Sequence, residues 1–245
     1  RIITDYGTEF DRVPAGYAGP LYVEICPLSF SVVATTGQML NQIIFRDGDT
    51  VIGDGDLAAL HAKTPIVSGE AVIRDGLGFS VDLKPESGDL VGYRAKPHTG
   101  VIDLSKLGHY DPAEFWEEVR TKDGHIILDP GAFYILVSRE AIVIPPTHAA
   151  EMAPYLAMAG EFRVHYAGFF DPGFGDVSGD GEGSRAVLEV RSHEVPFILE
   201  DGQIIGRLVY EPLSEAPETV YGQGIGSNYQ KQGLKLSKHF KAFEG

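Results

Sequence analysis

The chain of 245 residues is 43% hydrophobic, which suffices for a packed core, and it carries a formal net charge of −15. Such an acidic chain lacks the basic surface of a nucleic-acid-binding protein, and no apolar run approaches the ~18 residues that cross a membrane. The single cysteine, Cys26, excludes an intrachain disulfide framework and a multi-cysteine zinc site, and its apolar neighbours predict a core position. We therefore expect a cytoplasmic protein with neither nucleic acid nor membrane among its partners.

The first 46 residues predict three strands separated by turns, because β-branched and aromatic residues dominate each run. The predicted strands are 20–25, 29–34 and 38–45. The stretch from Arg46 to Pro65 is rich in glycine and aspartate and predicts a linker. We therefore divide the chain into a first unit at 1–50, a linker at 51–69 and a second unit at 70–245.

The second unit shows short apolar runs at a spacing typical of an all-β sandwich or barrel. Its strands are predicted at 78–84, 90–95, 101–104, 125–129, 133–140, 141–144, 162–171, 185–192, 196–200 and 203–213. One helix is predicted after the N-cap Asp111, with Pro112 at the first helical position and Phe115, Trp116 and Val119 on its apolar face. A second, shorter helix is predicted at 147–158, although Pro154 weakens it.

One segment occurs twice in the chain. Residues 24–45 align without a gap to residues 189–210, at an offset of 165, and residues 5–11 align to 165–171 at an offset of 160. The first alignment sets Glu24 against Glu189 and Phe45 against Tyr210. One β-rich unit is therefore duplicated, and the first copy is cut off at its beginning.

Glu189 is the first candidate catalytic residue, because it interrupts the apolar run of its predicted strand. An inward position would raise the pKa of its carboxyl toward the range of a general base, whereas an outward position would leave it solvated. Glu24 has the same context and leaves the same two alternatives open. Unequal copies favour Glu24 as the vestigial partner of Glu189.

Two further segments carry candidate binding residues. Residues 171–175, Asp-Pro-Gly-Phe-Gly, predict a turn that either only connects strands or also places Asp171 against a sugar hydroxyl and Phe174 beside it. The glycine-rich tail, with Tyr221, Asn228, Tyr229 and Gln232, is either a lid over phosphates or a disordered terminus.

The eight histidines are scattered without metal-ligand spacing, so no metal ligands are predicted.

The order of these motifs resembles the dCTP deaminases of the dUTPase-like superfamily, in their long, duplicated form. The resemblance rests on FFDPGF, AVLEV, the strand ending in LVYEPL, and the tail with Tyr221, Tyr229 and a Gln-Gly pair at Gln232, preceded by GFSVDLK, HTGVIDLS and IILDPGAFYILVSREAIVIPP. It covers residues 70–243 continuously. It implies a mainly β fold, a duplicated, distorted dUTPase-like β-barrel or jelly roll with one or two short helices.

The same resemblance implies roles for individual residues. Glu189 matches the general base that activates water for attack on C4 of cytosine, without zinc. His165, Tyr166 and Ala167 match the strand whose backbone reads the base, while Asp171 and Phe174 match the residues that contact the deoxyribose. The lid on the triphosphate is matched by Tyr221, Tyr229 and Gln232, with Asn228 where a lysine is common. Magnesium is expected to be carried by the triphosphate.

Two departures from the family bear on the site. The Ser/Arg segment expected before residue 165 is replaced by 152–158, which contain neither residue type, and Phe169 stands where a phosphate-binding arginine is expected. We expect the first unit to supply the missing donors from residues that would precede Arg1. The resemblance also implies a homo-oligomer based on a trimer, and it leaves feedback by dTTP open.

The hypothesis from sequence is therefore a dCTP deaminase, a hydrolase that converts dCTP and water to dUTP and ammonia in nucleotide metabolism. The alternatives are a dUTP diphosphatase and a non-catalytic nucleotide-sensing domain of the same fold.

Overall fold

A computed structural model describes residues 1–153, 162–165, 168–175, 183–222 and 233–243. The two helices among them are α1 (Asp54–Lys63) and α2 (Pro112–Phe115). The strands are β1 (Ile2–Thr4), β2 (Leu21–Val23), β3 (Val32–Val33), β4 (Val72–Ile73), β5 (Leu77–Ser80), β6 (Leu90–Ala95), β7 (Ile102–Asp103), β8 (Trp116–Arg120), β9 (His125–Leu128), β10 (Phe133–Ile142), β11 (His148–Ala153), β12 (Phe162–His165), β13 (Phe169–Phe170), β14 (Ser184–Ser192), β15 (Phe197–Glu200) and β16 (Ile204–Pro212). The predicted mainly β class is confirmed.

The second unit is built around two antiparallel sheets of five strands. One has the order β12-β14-β10-β6-β8 and the other β13-β11-β16-β5-β4. A continuous apolar core includes residues of both sheets, among them Phe79, Leu136, Leu188, Leu208 and Tyr210, all at most 1% exposed. Burial of this apolar surface is the main favourable contribution to folding.

The first sheet also has a second covered face. Alternate residues of β14 turn Leu188 and Val190 toward the core, so Glu189 and Arg191 lie on the opposite side. A second apolar cluster, which includes Trp116 and Phe240, lies on that side.

Part of the first unit packs against this second cluster. The ring of Phe30 makes edge contacts with Phe115 and Trp116, with centroids 5.4 and 5.1 Å apart. Next to it, β3 pairs in parallel with β7, where Val32 lies opposite Ile102. The first unit therefore covers a face of the second unit.

The helix predicted at 147–158 is wrong for the residues that the structure describes, because His148–Ala153 is strand β11. It pairs with β16 along its whole length, from His148 opposite Pro212 to Ala153 opposite Arg207. The helical preference of its alanines and methionine is overridden by this ladder, which buries Ala150 and Met152 in the core. The N-cap and start of the helix after Asp111 are confirmed, since the Asp111 carboxylate accepts a hydrogen bond from the backbone N–H of Ala113. Its predicted extension is wrong, because Trp116 and Val119 lie in strand β8.

Three other expectations for the first 65 residues differ from the structure. The predicted linker contains α1, whose residue Leu57 is 1% exposed and joins the core. The predicted strand 38–45 has no regular structure and leaves Met39 and Phe45 exposed. Cys26 is exposed rather than buried. The segment 38–45 is apolar in sequence, but no sheet neighbour among the described residues pairs with it to bury it.

Candidate active site

A cavity of about 1140 Å³ lies on the second covered face of the first sheet. Strand β14 forms its floor with Glu189 and Arg191, the first unit contributes residues between Pro27 and Gln42, and the segment from Lys235 to Phe240 closes another side. A volume of this size accommodates a nucleotide-sized ligand. The cavity therefore depends on three parts of the chain that are far apart in sequence.

Glu189 lies at the centre of β14. In the ladders it stands opposite Ile135 of β10 and His165 of β12. Its side chain points away from the core but is only partly exposed, since the first unit and the C-terminal segment cover this face. Burial raises the pKa of its carboxyl to about 7. The Glu189 side chain therefore lies neither in the apolar core nor in full contact with solvent.

Asp171 is held at the cavity wall by a tight turn. The backbone N–H of Phe174 donates to the Asp171 carbonyl at 3.1 Å, and Gly173 has φ +89°, as a type II turn with Pro172 at its second position requires. The turn is fixed further because Gly173 donates to the carbonyl of Ile144. The predicted turn is therefore present and holds Asp171 in place.

The carboxylate of Asp171 faces the cavity together with aromatic rings. Burial raises its pKa, and a hydrogen bond from the side-chain amide of Gln42, 3.3 Å from Oδ1, opposes that rise. Phe174 lines the same cavity and lies 5.9 Å from the ring of Tyr221. A carboxylate beside an aromatic ring suits a sugar, which has hydroxyl donors and an apolar face.

Comparison with known proteins bears directly on this arrangement. Residues 53–240 match the family model described as "2′-deoxycytidine 5′-triphosphate deaminase (DCD), C-terminal domain", and residues 1–49 match that of the N-terminal domain. The chain belongs to the 2′-deoxycytidine 5′-triphosphate deaminase family.

A solved structure of this family is closely similar. The crystal structure of 2′-deoxycytidine 5′-triphosphate deaminase from Agrobacterium tumefaciens superimposes with a TM-score of 0.82 at 52% sequence identity. The match covers 89% of this chain and 65% of the Agrobacterium chain. The chain thus spans somewhat less than two thirds of that relative's length, and the deaminase fold, a dUTPase-like fold, is confirmed.

Curated relatives have a more specific name, "dCTP deaminase, dUMP-forming". The protein of Pseudarthrobacter chlorophenolicus is 32% identical over 141 residues, which cover 54% of this chain and 70% of the relative. That of Methanobrevibacter smithii is 28% identical over 181 residues, covering 69% and 87%. These names give dUMP as the product, whereas the sequence alone led to an expectation of dUTP.

Only some of the remaining predicted site residues of this deaminase-family chain lie among the described residues. His165 is placed by its backbone directly opposite Glu189. Five others lie outside the described residues, and they are Tyr166, Ala167, Asn228, Tyr229 and Gln232. Glu24 is exposed and forms an ion pair with Arg1, so it does not line the cavity with Glu189.

Sequence reasoning missed several cavity residues. Arg191 stands two positions from Glu189 on the same face, and its guanidinium donates to the carbonyls of Gly131 at 2.6 Å and Leu28 at 2.9 Å. Its remaining Nε, like Nε1 of Trp116, is buried without a hydrogen-bond partner among the described residues. The alternation of inward and outward residues along β14 could have indicated that Arg191 shares a face with Glu189. That face forms a cavity only because residues of the first unit and the segment from Lys235 to Phe240 cover it.

The cavity also contains the basic side chains of Lys235 and Lys238. They lie on a segment that the backbone holds in place, where Gly108 donates to the carbonyl of Lys238 and His109 to that of His239. Within the described residues, no group of three His, Cys, Asp or Glu side chains could hold a metal ion. No helix among the described residues is long and apolar enough to cross a membrane.

Proposed function

We propose that this chain deaminates dCTP, with Glu189 as the general base. The observation that carries the proposal is a carboxyl group at the floor of a nucleotide-sized cavity whose pKa burial raises to about 7. A base with a pKa near the working pH is abundant in its ionised form and still accepts a proton readily. The family membership selects the cytosine of dCTP as the group attacked.

In the proposed reaction, ionised Glu189 takes a proton from water as the water oxygen bonds to C4 of cytosine. The protonated carboxyl gives that proton to N3 of the ring, then takes the proton of the new C4 hydroxyl and passes it to the amino nitrogen. The bond between C4 and the amino nitrogen breaks, ammonia leaves, and C4 keeps the oxygen as a carbonyl. Each turnover consumes one water and leaves the carboxylate ionised, so no zinc-bound water is required in this scheme.

Other residues bind the substrate in this proposal. Asp171 accepts a hydrogen bond from the deoxyribose hydroxyl, and Phe174 packs on the sugar. The backbone at His165, Tyr166 and Ala167 reads the base, and the lid residues Tyr221, Asn228, Tyr229 and Gln232 close on the phosphates. Magnesium is carried by the triphosphate in this proposal.

The product is a separate question from the deamination. The names of the curated relatives favour dUMP, which requires cleavage of the phosphate chain in addition to loss of ammonia. Deamination that stops at dUTP is the prediction from sequence. A dUTP diphosphatase that does not deaminate and a non-catalytic nucleotide-binding domain remain the rival functions.

One assay separates these reactions. The protein is incubated with dCTP or with dUTP in the presence of magnesium, and ammonia and pyrophosphate are measured. We expect ammonia from dCTP, its loss in Glu189→Gln, and its retention in Glu24→Gln, the matched control on the other copy. Pyrophosphate released together with ammonia identifies dUMP as the product. Pyrophosphate from dUTP without any ammonia from dCTP refutes the deaminase, and ammonia lost only in Glu24→Gln moves the site to the first unit.

A further inference from the structure

We propose that Gln42 is a positioning residue for Asp171, so that the first unit takes part in the recognition of a sugar hydroxyl by the second. This inference rests on the proposed function, because it assumes that a nucleotide occupies the cavity. It concerns a residue of the first unit that is not among the site residues predicted from the sequence.

The contact itself joins residues 129 positions apart. Nε2 of Gln42 donates to Oδ1 of Asp171 at 3.3 Å, and both side chains line the cavity. The turn at Asp171 fixes its backbone, but a carboxylate still rotates about its last torsion. A hydrogen bond to Oδ1 restricts that rotation and leaves Oδ2 available to a ligand.

The same hydrogen bond favours the accepting form of the carboxylate. Burial raises the pKa of Asp171, which favours the neutral acid, and the Gln42 amide opposes this. The other charged or titratable side chains that line the cavity are Glu189, Arg191, Tyr221, Lys235, Lys238 and His239. An ionised carboxylate is acceptor-only, so its ligand partner must be a donor such as a hydroxyl group.

Gln42 can act this way because its own segment is anchored. Four residues later, Arg46 binds Glu211 through two nitrogens, with contacts of 2.7 to 3.0 Å, and also binds Glu151 at 2.8 Å. Arg46 therefore holds the end of the irregular segment 38–45 against β16 and β11. Without such an anchor, ordering the Gln42 side chain would cost conformational entropy that a single hydrogen bond scarcely offsets.

The test compares dCTP with 2′,3′-dideoxycytidine triphosphate, which lacks the 3′-hydroxyl. Binding is measured by calorimetry in the inactive Glu189→Gln background, alone and with Gln42→Ala. We expect Gln42→Ala to weaken dCTP binding by about fivefold to twentyfold and to leave the dideoxy analogue within about twofold. The matched control is Asn41→Ala, at a neighbouring position that is exposed like Gln42 but does not line the cavity, and it should change neither.

A double-mutant cycle separates positioning from a general structural role. In an Asp171→Asn background, Gln42→Ala should cause no further loss of dCTP affinity, because the carboxylate that it orients is gone. Equal losses for dCTP and the dideoxy analogue, or no loss for either, overturn the role of Gln42 while dCTP binding itself persists. If the Glu189→Gln protein binds no dCTP at all, the proposed function fails, and this inference fails with it.

Discussion

Arg46 and Glu211 occupy equivalent positions in the two copies of the repeat, and they bind each other. The alignment that sets Phe45 against Tyr210 continues to this pair at the same offset of 165. The Arg46 guanidinium donates to both oxygens of Glu211, whose side chain is 9% exposed, and the Thr50 hydroxyl donates to the same carboxylate at 2.6 Å. The first unit is therefore attached to the second at the ends of their matching segments.

Arg46→Ala should lower the free energy of unfolding by about 2 kcal/mol, because it leaves the Glu211 carboxylate buried with only one side-chain donor. The value is reduced from that of a fully buried pair, since the Arg46 side chain is 39% exposed. Denaturation in urea at pH 7 measures it. Arg12→Ala is the control: its pair with Glu9 is exposed on both sides and should contribute less than about 0.5 kcal/mol.

The Arg46 contribution should also disappear in acid. Burial raises the pKa of Glu211, but the hydrogen bonds from Arg46 and Thr50 outweigh that and lower it. A carboxyl with a lowered folded-state pKa contributes stability above its unfolded pKa and loses it as the pH falls through the folded one. The difference between wild type and Arg46→Ala should thus shrink below about pH 4. A difference that stays constant into acid would contradict the ion pair as its source.

Glu189→Gln should stabilise the protein at alkaline pH while it strongly lowers the rate of ammonia release. The folded-state pKa of Glu189 is about 7, above its ordinary 4.5, so ionisation destabilises the folded state as the pH rises between these values. Removing the charge should add up to about 3 kcal/mol at pH 8 and nothing at pH 4. Thermal unfolding across this range tests it. The Glu24→Gln control, at an exposed surface pair, should shift stability by less than about 0.5 kcal/mol at either pH.

The pH dependence of the reaction should report the same carboxyl. Because the base must be ionised, log(kcat/KM) for dCTP should rise with unit slope below pH 7 and level off above it. The rise should be absent from the low residual rate of Glu189→Gln, which we expect to be reduced about 10²- to 10⁴-fold. A plateau that begins near pH 4 to 5 would mean that the titrating base is an unperturbed carboxylate rather than Glu189.

Gly173→Ala should lower stability and weaken substrate binding by more than the strain of its positive φ angle alone would cause. At φ +89° any Cβ is strained, and here it would also lie 2.8 Å from Cβ of Val220, next to Tyr221 at the cavity wall. We expect a loss of about 2–3 kcal/mol together with a raised KM for dCTP. Gly16→Ala, at φ +78° with open space around it, isolates the angular cost and should lose only about 1 kcal/mol with KM unchanged. Equal effects at the two positions would remove the steric argument.

The sequence predicted most strands of the second unit, because these segments show either alternating apolar residues or a continuous apolar run. Sequence patterns failed where the pairing partner determines the secondary structure. Residues 148–153 form β11 because they pair with β16, and residues 38–45 remain irregular because no described strand pairs with them. The N-cap at Asp111 was recognisable because its hydrogen bond is local. The end of that helix was not, because Trp116 enters β8 through its pairing with Ala95.

The sequence alone was enough to predict a duplicated β-rich unit, to identify the Asp171 turn, and to show that Glu189 is a carboxylate in an otherwise apolar strand. These are local properties of composition, spacing and backbone preference. That the outer face of β14 is covered follows only from the folded structure, since the covering segments come from the two ends of the chain. That enclosure removes water from Glu189 and raises its pKa, and it brings Gln42 to Asp171. Burial and long-range contact depend on which surfaces meet, and a pattern within one segment does not contain that information.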